Sequence, residues 1–308
     1  MGQRLLLISF TAVAVSSIVF IAIHQVPGNA LLSERRLNPA TEQALLHHYN
    51  LDLPWPQQYG IWITNLVLHG NLGESMVNQG EPITPLLLRE ARNSMTLGAA
   101  AILITILLGL FLGVVAAMRQ NTWVDYSAST AAVIGYSIPS FVWATLLVLL
   151  TVTGFYAWTG GLVYEDIGWG KIEQIPVPAL ALGLPYASLI ARLTRASMLE
   201  VIRQDYVRTA WAKGLKSRVV ILRHALRNAL IPVITILGPL VTAIITGSVV
   251  IESIFGIPGL GKEFVTSILS RDYNIVIGVF TFYAALVGLA NLIVDLLYPI
   301  LDPRIRYG

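Results

Sequence analysis

Residues 200–232, EVIRQDYVRTAWAKGLKSRVVILRHALRNALIP, form a long basic segment between two apolar runs that look able to cross a bilayer. From Arg192 to Arg227 about nine Lys and Arg stand against the acids Glu200 and Asp205, a bias that marks cytoplasmic loops. A loop this long and patterned has more to do than join two helices, and it reads as the docking surface of a soluble partner. Gln204 to Lys213 favours a helix, with Gly214 placed to end it. Ala210 and Gly214, four apart, then share a face with Thr209 beside them, and small residues there let another backbone come close. Tyr206, Val207 and Trp211 offer apolar contact area; Arg208 and Lys213 offer charge to an acidic rim. A basic helix lying on anionic headgroups would explain the charge but not the Ala/Gly notch.

Composition sets the wider frame. Apolar residues make up 55% of the 308 and charged residues 12%, against about 25% charged in soluble domains. Mean hydropathy is +0.69. Six runs are candidate spans of roughly 20 residues: Leu5 to Ile23, Ser94 to Met118, Ser127 to Val152, Val177 to Leu193, Leu230 to Ile251 and Ile275 to Tyr298. The chain is expected to be all-α and polytopic, with six transmembrane helices. Pro139, Pro185, Pro232 and Pro239 fall in or at the ends of these runs, where membrane helices tolerate kinks. The first run, about 19 residues, exceeds a signal-peptide core and is followed by no clear cleavage site, so it reads as a retained span.

Charge fixes an expected orientation. Placing the N-terminus, the Arg119–Asp125 turn, the 192–227 segment and the tail on one side gathers about 13 basic and about 4 acidic residues there. Both termini are then cytoplasmic. Outside lie an insert over 25–93, with turn signals at Asn38-Pro39, Pro54-Trp55-Pro56 and Gly70-Asn71-Leu72-Gly73, and a short helix over Thr41–Tyr49. A second outer loop, 154–176, carries Trp158, Tyr164 and Trp169, which suit the lipid–water boundary. The third, 252–274, carries Gly256, Pro258, Gly259 and Gly261. The expected division is thus 1–24 as first helix, 25–93 as extracytoplasmic insert, 94–298 as a five-helix core containing the loop 196–229, and 299–308 as tail.

Several chemistries are excluded or disfavoured. The chain has no cysteine, hence no disulfide or thiolate site. Gly256 to Lys262 has the spacing of a phosphate-binding loop, but Glu263 stands where Ser or Thr must hold magnesium and Pro258 removes a backbone donor. It reads as a Gly/Pro-ordered re-entrant turn, not an ATP site. Asp295 reads as an interfacial anchor rather than a proton carrier. Thr235, Thr242, Thr246 and Ser248 lie partly on one face of the fifth span and either line a neutral polar pathway or serve helix packing. His47 and His48 have no metal-ligand spacing and read as a solvated face. A sequence pI near 9.2 reflects membrane-flanking charge rather than nucleic-acid binding.

The pattern around Gly214 resembles the cytoplasmic EAA loop of ABC-importer permeases. Arg208-Thr209-Ala210 falls at the Glu-Ala-Ala positions, where only Ala210 matches, and the usual downstream proline falls at Pro232. DYVRTAWAKGL, RHALRNALIPVIT, VVIESIFGIPGLGKEFVTSILSRDYNIVIGV, LDLPWPQQYGIW, GNLGESM and Asp302-Pro303-Arg304 together resemble the dipeptide/oligopeptide/nickel branch over nearly the whole chain. That resemblance implies a type I ABC importer permease in a bacterial or archaeal cytoplasmic membrane. It implies a second, probably non-identical permease subunit, two ATP-binding subunits that hold ATP and Mg, and an extracytoplasmic peptide-binding protein. The chain itself would need no cofactor and catalyse nothing. Glu200, Asp205, Tyr206, Arg208, Thr209, Ala210, Lys213, Gly214 and Leu215 would couple the ATPases to the bundle. Nickel or glutathione import by the same architecture stands as an alternative. So, more distantly, do an ATP-independent secondary transporter and a membrane-embedded interaction subunit.

Overall fold

A computed structural model describes residues 2–26, 38–159, 168–246 and 248–301. The readings placed on Tyr164, on Asp302-Pro303-Arg304 and on the side chains of Thr246 and Asp295 lie outside what it describes. The described residues are helical apart from turns and one antiparallel bridge between Glu74 and Pro82. The helices are α1 (Gly2–Gln25), α2 (Pro39–His48), α3 (Trp55–His69), α4 (Ile83–Met118), α5 (Trp123–Ser137), α6 (Ser140–Leu149), α7 (Pro176–Ile202) and α8 (Asp205–Ala212). They continue with α9 (Ser217–Ala229), α10 (Ile231–Thr246), α11 (Ser248–Phe255), α12 (Leu260–Ser270) and α13 (Tyr273–Leu301).

Among the described residues, four segments, within α1, α4 and α13 and over Ile172–Ile202, are long and apolar enough to cross a membrane. Two bent pairs, α5 with α6 and α9 with α10, raise the number to six if each is one span. The sequence pattern needs correction at these breaks. Pro139 does not merely kink the third run: α5 and α6 meet at 107°. Ile138 is held extended by the following proline, and Pro139 caps α6. The second run is the later part of a single 36-residue helix that begins at Ile83. Polar Arg89, Glu90, Arg92 and Asn93 end the hydropathy signal there but do not stop a helix.

Contacts group the chain into two compact units. One comprises 1–94 with 258–289, so the segment expected as an extracytoplasmic insert is grouped with α1, α12 and most of α13. Its core joins Phe20, Trp62, Leu72, Ile83, Leu87, Leu260, Ile277 and Val279. The Tyr59 hydroxyl lies 2.8 Å from both Ser16 Oγ and Ser17 Oγ, tying α3 to α1. The Trp62 indole N–H donates to the Leu72 carbonyl at 3.2 Å.

Asp272 is the hub of this unit. It is fully buried and its Oδ2 accepts from Ser75 Oγ at 2.6 Å and from the Met76 and Val77 amides at 2.9 and 3.0 Å. Its Oδ1 accepts from the Ile275 amide at 3.2 Å, which makes it the N-cap of α13. Arg271, at φ 55, turns the chain from α12 into that cap.

The other unit comprises 95–257 with 290–308 and is built around α7, which packs on α5, α6, α10 and α11. Its core is rich in small side chains, among them Ala101, Ala144, Ala179 and Ala181 beside Leu182, Ile190 and Ile244. Gly109 and Gly113 let α4 meet α7 closely. A Cβ at Gly109 would stand 2.7 Å from Ile190, and one at Gly113 2.6 Å from Thr194. This small-xxx-small pair is the packing device membrane helices use where water supplies no drive between them.

Candidate functional site

The basic segment resolves into a short exposed helix mounted on a buried seat. α8 has an inward edge, Val207 and Ala210, which packs with Val220 of α9 and Val201 of α7. Asp205, Tyr206, Arg208, Thr209, Trp211 and Lys213 face outward. Tyr206 and Trp211 remain 42% and 43% exposed, unusual for such large rings outside a lipid-facing span. The Asn228 amide donates to the Tyr206 hydroxyl at 2.7 Å and fixes that ring against α9. Thr209 Oγ1 donates to the Asp205 carbonyl at 2.9 Å, and the Arg208 guanidinium lies 4.0 Å from the Asp205 carboxylate. Glu200, also exposed, sits in the last turn of α7.

Gly214 ends the helix as expected, at φ 71, where its amide donates to the Trp211 carbonyl at 2.9 Å. Leu215 then returns its amide to the Ala210 carbonyl at 3.4 Å. The left-handed turn overturns one expectation. Ala210 and Gly214 share a face only if the helix runs through both, and it stops between them. Ala210 is 5% exposed and belongs, with Val207, to the seat rather than to a notch open to a partner. The accessible face is aromatic and basic instead, and exposed Leu215 extends it past the turn.

α9, missed in the sequence because its basic residues read as loop, contains a π-helical stretch over Val220–Ala225 that α8 packs against. It meets α10 at 52°. A wide turn at such a place is a common functional device. Met198, Ala225 and Ala229 close a small core between α7 and α9.

A buried ion pair anchors the C-terminal half of α7. Arg195 Nη2 donates to Asp125 Oδ2 at 2.8 Å, and Arg195 Nε donates to Oδ1 at 2.5 Å. The Asn121 amide adds a bond of 3.0 Å from the turn before α5. Asp125 is 1% exposed and Arg195 31%. The pair was hidden in the sequence, where the residues are 70 apart, although both stand at the same end of neighbouring spans. Arg195→Ala is expected to cost about 2 kcal/mol, less than the roughly 3–5 kcal/mol of a fully buried pair, because Arg195 is partly hydrated and Asp125 keeps its other donors. Thermal unfolding of the detergent-solubilised chain measures it; an unchanged midpoint would remove the pair as an anchor.

The remaining predicted positions do not gather at one place. Thr235 and Thr242 donate to the carbonyls four residues back, at 3.0 and 3.4 Å, and Thr242 Oγ1 lies 2.8 Å from Asn291 Oδ1. Ser248 is buried and bonds the Ile245 carbonyl at 3.1 Å. The Thr242–Asn291 contact joins α10 to α13, whereas Thr235 is exposed. Gly256, at φ 67, ends α11, and Gly259 opens α12. The Asn93 side chain donates to the Pro258 carbonyl at 2.6 Å, and the Leu260 amide donates to Ser94 Oγ at 2.9 Å. Gly261 is buried. This is a helix–turn–helix with its first amide already engaged, unlike a phosphate cradle. Burial, then the carboxylates of Asp272 and Glu81, hold the Glu263 carboxyl above its ordinary value against the pull of Thr266 and Lys262.

All-α architecture, several spans and a mounted external helix define a multi-pass membrane component. A family model described as "binding-protein-dependent transport system inner membrane component" matches residues 109–307. The chain belongs to that family. It is 40% identical over 306 residues to the dipeptide transport system permease protein DppB of Bacillus subtilis (strain 168), covering 99% of this chain and 97% of that one. It is 40% identical over 293 residues to the oligopeptide transport system permease protein OppB of Escherichia coli (strain K12), covering 94% of each. Among solved structures, a chain of the MetNI methionine ABC transporter in an inward-facing conformation matches with TM-score 0.57 at 18% identity, over 72% of this chain and 97% of that one. A chain of an amino acid ABC transporter crystallised with histidines matches with TM-score 0.52 at 17% identity, over 72% and 95%. These two show the fold: that of an ABC importer permease.

Proposed function

We propose that this chain is the pore-forming permease subunit of an ATP-driven importer of di- and oligopeptides. The observation that carries the reading is the relatives' near full-length match, joined to an exposed aromatic helix in the region the family model covers. The bundle crosses the cytoplasmic membrane six times, counting each bent pair as one span, with both termini inside. A second permease subunit completes the pore. Two separate ATP-binding subunits hold ATP and Mg, and an extracytoplasmic binding protein delivers peptide, so this chain is not itself an enzyme.

α8 is the coupling element. Asp205, Tyr206, Arg208, Thr209, Trp211, Lys213 and Leu215 meet an ATP-binding subunit, whereas Ala210 and Gly214 shape the mount and Glu200 stands at its base. The ATPase must bind α8 differently in two bundle states to do work. The seat of Val207, Ala210 and Val220 would carry that difference into α7 and α9.

The test is co-expression with an ATP-binding pair and a second permease, co-purification, and reconstitution into vesicles with the binding protein. ATP-dependent peptide uptake is the expected result. Uptake that follows an ion gradient without any ATPase would overturn the reading.

A further inference from the structure

The unit formed by 1–94 and 258–289 contains a cavity of about 250 Å³ that the transport reading leaves without a role. Its floor is apolar and buried, with Phe20, Trp62, Met76 and Ile277 each under a tenth exposed. Its mouth is polar, with exposed Asn65 and Asn71 beside Glu74, whose side chain is 45% exposed. Among the described residues, no Lys or Arg lines it.

The rings are already set in place. The His24 ring is tilted against Phe20 at 4.2 Å and against Tyr273 at 5.4 Å between centroids, and Tyr49 donates its hydroxyl to the Ser75 carbonyl at 2.8 Å. The buried Asp272 carboxylate, which accepts from Ser75, Met76, Val77 and Ile275, adjoins two lining residues, Met76 and Tyr273. Burial first, then the charges of Glu74 and Asp272, push the Tyr49 phenol above its ordinary value.

We infer that this cavity binds the amino terminus of a peptide whose first side chain is apolar, with that side chain on the Trp62–Ile277 floor and the ammonium at Glu74. The volume is below that of drug-sized pockets and suits one residue. Aromatic walls favour an organic cation over an anion. A lysine tip fits less well, because its charge would have to sit on the apolar floor. That the ligand is a peptide rests on the transport reading; that it is a primary ammonium beside an apolar group rests on the cavity.

Isothermal titration of the purified full chain with leucinamide tests it, at about pH 7, below the ordinary α-amino pKa of about 7.7–8.0 and above the ordinary histidine value of about 6.5. Saturable binding is expected for leucinamide and none for N-acetyl-leucinamide, which has the same side chain without the charge. Glu74→Gln should weaken binding about tenfold by removing the ionised acceptor. Glu42→Gln, on α2 and outside the cavity, should leave it unchanged. Equal binding of the acetylated compound, no saturable binding of leucinamide, or full affinity in Glu74→Gln would each overturn the assignment. The titration needs neither ATPase nor second subunit, so its failure would leave ATP-dependent uptake by the assembled importer standing. Failure of uptake with leucinamide still bound would remove the peptide but keep the ammonium site.

Discussion

Asp272→Ala is expected to destabilise the protein by about 4 kcal/mol, because it orphans buried donors rather than removing a single contact. Four groups converge on this carboxylate, and Ser75 and Met76 among them are buried. Each buried donor left unmade costs roughly 1–3 kcal/mol, whereas Val77 can turn to water. The change also strips the N-cap of α13, a loss of about 1 kcal/mol in ordinary helices. Asp272→Asn should cost less. Its oxygen can face the Ser75–Val77 cluster, leaving only the new amino group opposed to the Ile275 amide. Denaturant unfolding of the solubilised chain gives the order, and protease cleavage within 70–82 should rise in step with it. Equal stability of the alanine and wild-type proteins would mean the clasp contributes nothing.

That clasp marks what the sequence could and could not disclose. Apolar runs exposed the long helices because lipid contact demands unbroken hydropathy, and α1, α4, α7 and α13 are found where those runs lie. Helix ends were less legible. Ile83 starts α4 well before the apolar run begins, since backbone bonding tolerates polar residues that the bilayer does not. Pro139 was visible as a breaker, but the 107° bend depends on what α6 packs against. The pairs Asp125–Arg195 and Asp272–Ser75 are 70 and 197 residues apart, and no local pattern links them.

The exposed helix was legible for a different reason. A run of helix formers closed by glycine, with aromatic and basic residues together, is a local signal. Its orientation was not. Val207 and Ala210, three apart, turn inward because Val220 arrives from α9 to cover them. The i, i+4 relation of Ala210 to Gly214 fails because the chain has left the helix at φ 71.

This division of α8 into seat and face yields a second large effect. Trp211→Ala removes a ring that is 43% exposed and lies outside the Val207–Ala210–Val220 seat, so stability should stay within about 0.5 kcal/mol. At an interface, buried aromatic anchors carry most of the binding energy, and losing a tryptophan costs about 2 kcal/mol or more. Trp211→Ala is therefore expected to weaken capture of the ATP-binding subunit about 30-fold, and the pair Tyr206→Ala with Trp211→Ala roughly a hundredfold. ATP-driven uptake should fall accordingly while the chain stays folded and inserted. Ala210→Leu should behave in the opposite manner. Overpacking the seat costs about 1–3 kcal/mol and displaces the whole helix, so stability and coupling fall together. Surface plasmon resonance against the ATP-binding subunit, run beside thermal unfolding, separates the two classes. If the outward variants bind the ATPase as wild type does but lose affinity for anionic vesicles, the face rests on headgroups. The coupling role would then fail, since a helix bound to lipid in both bundle states has no difference in binding from which to do work.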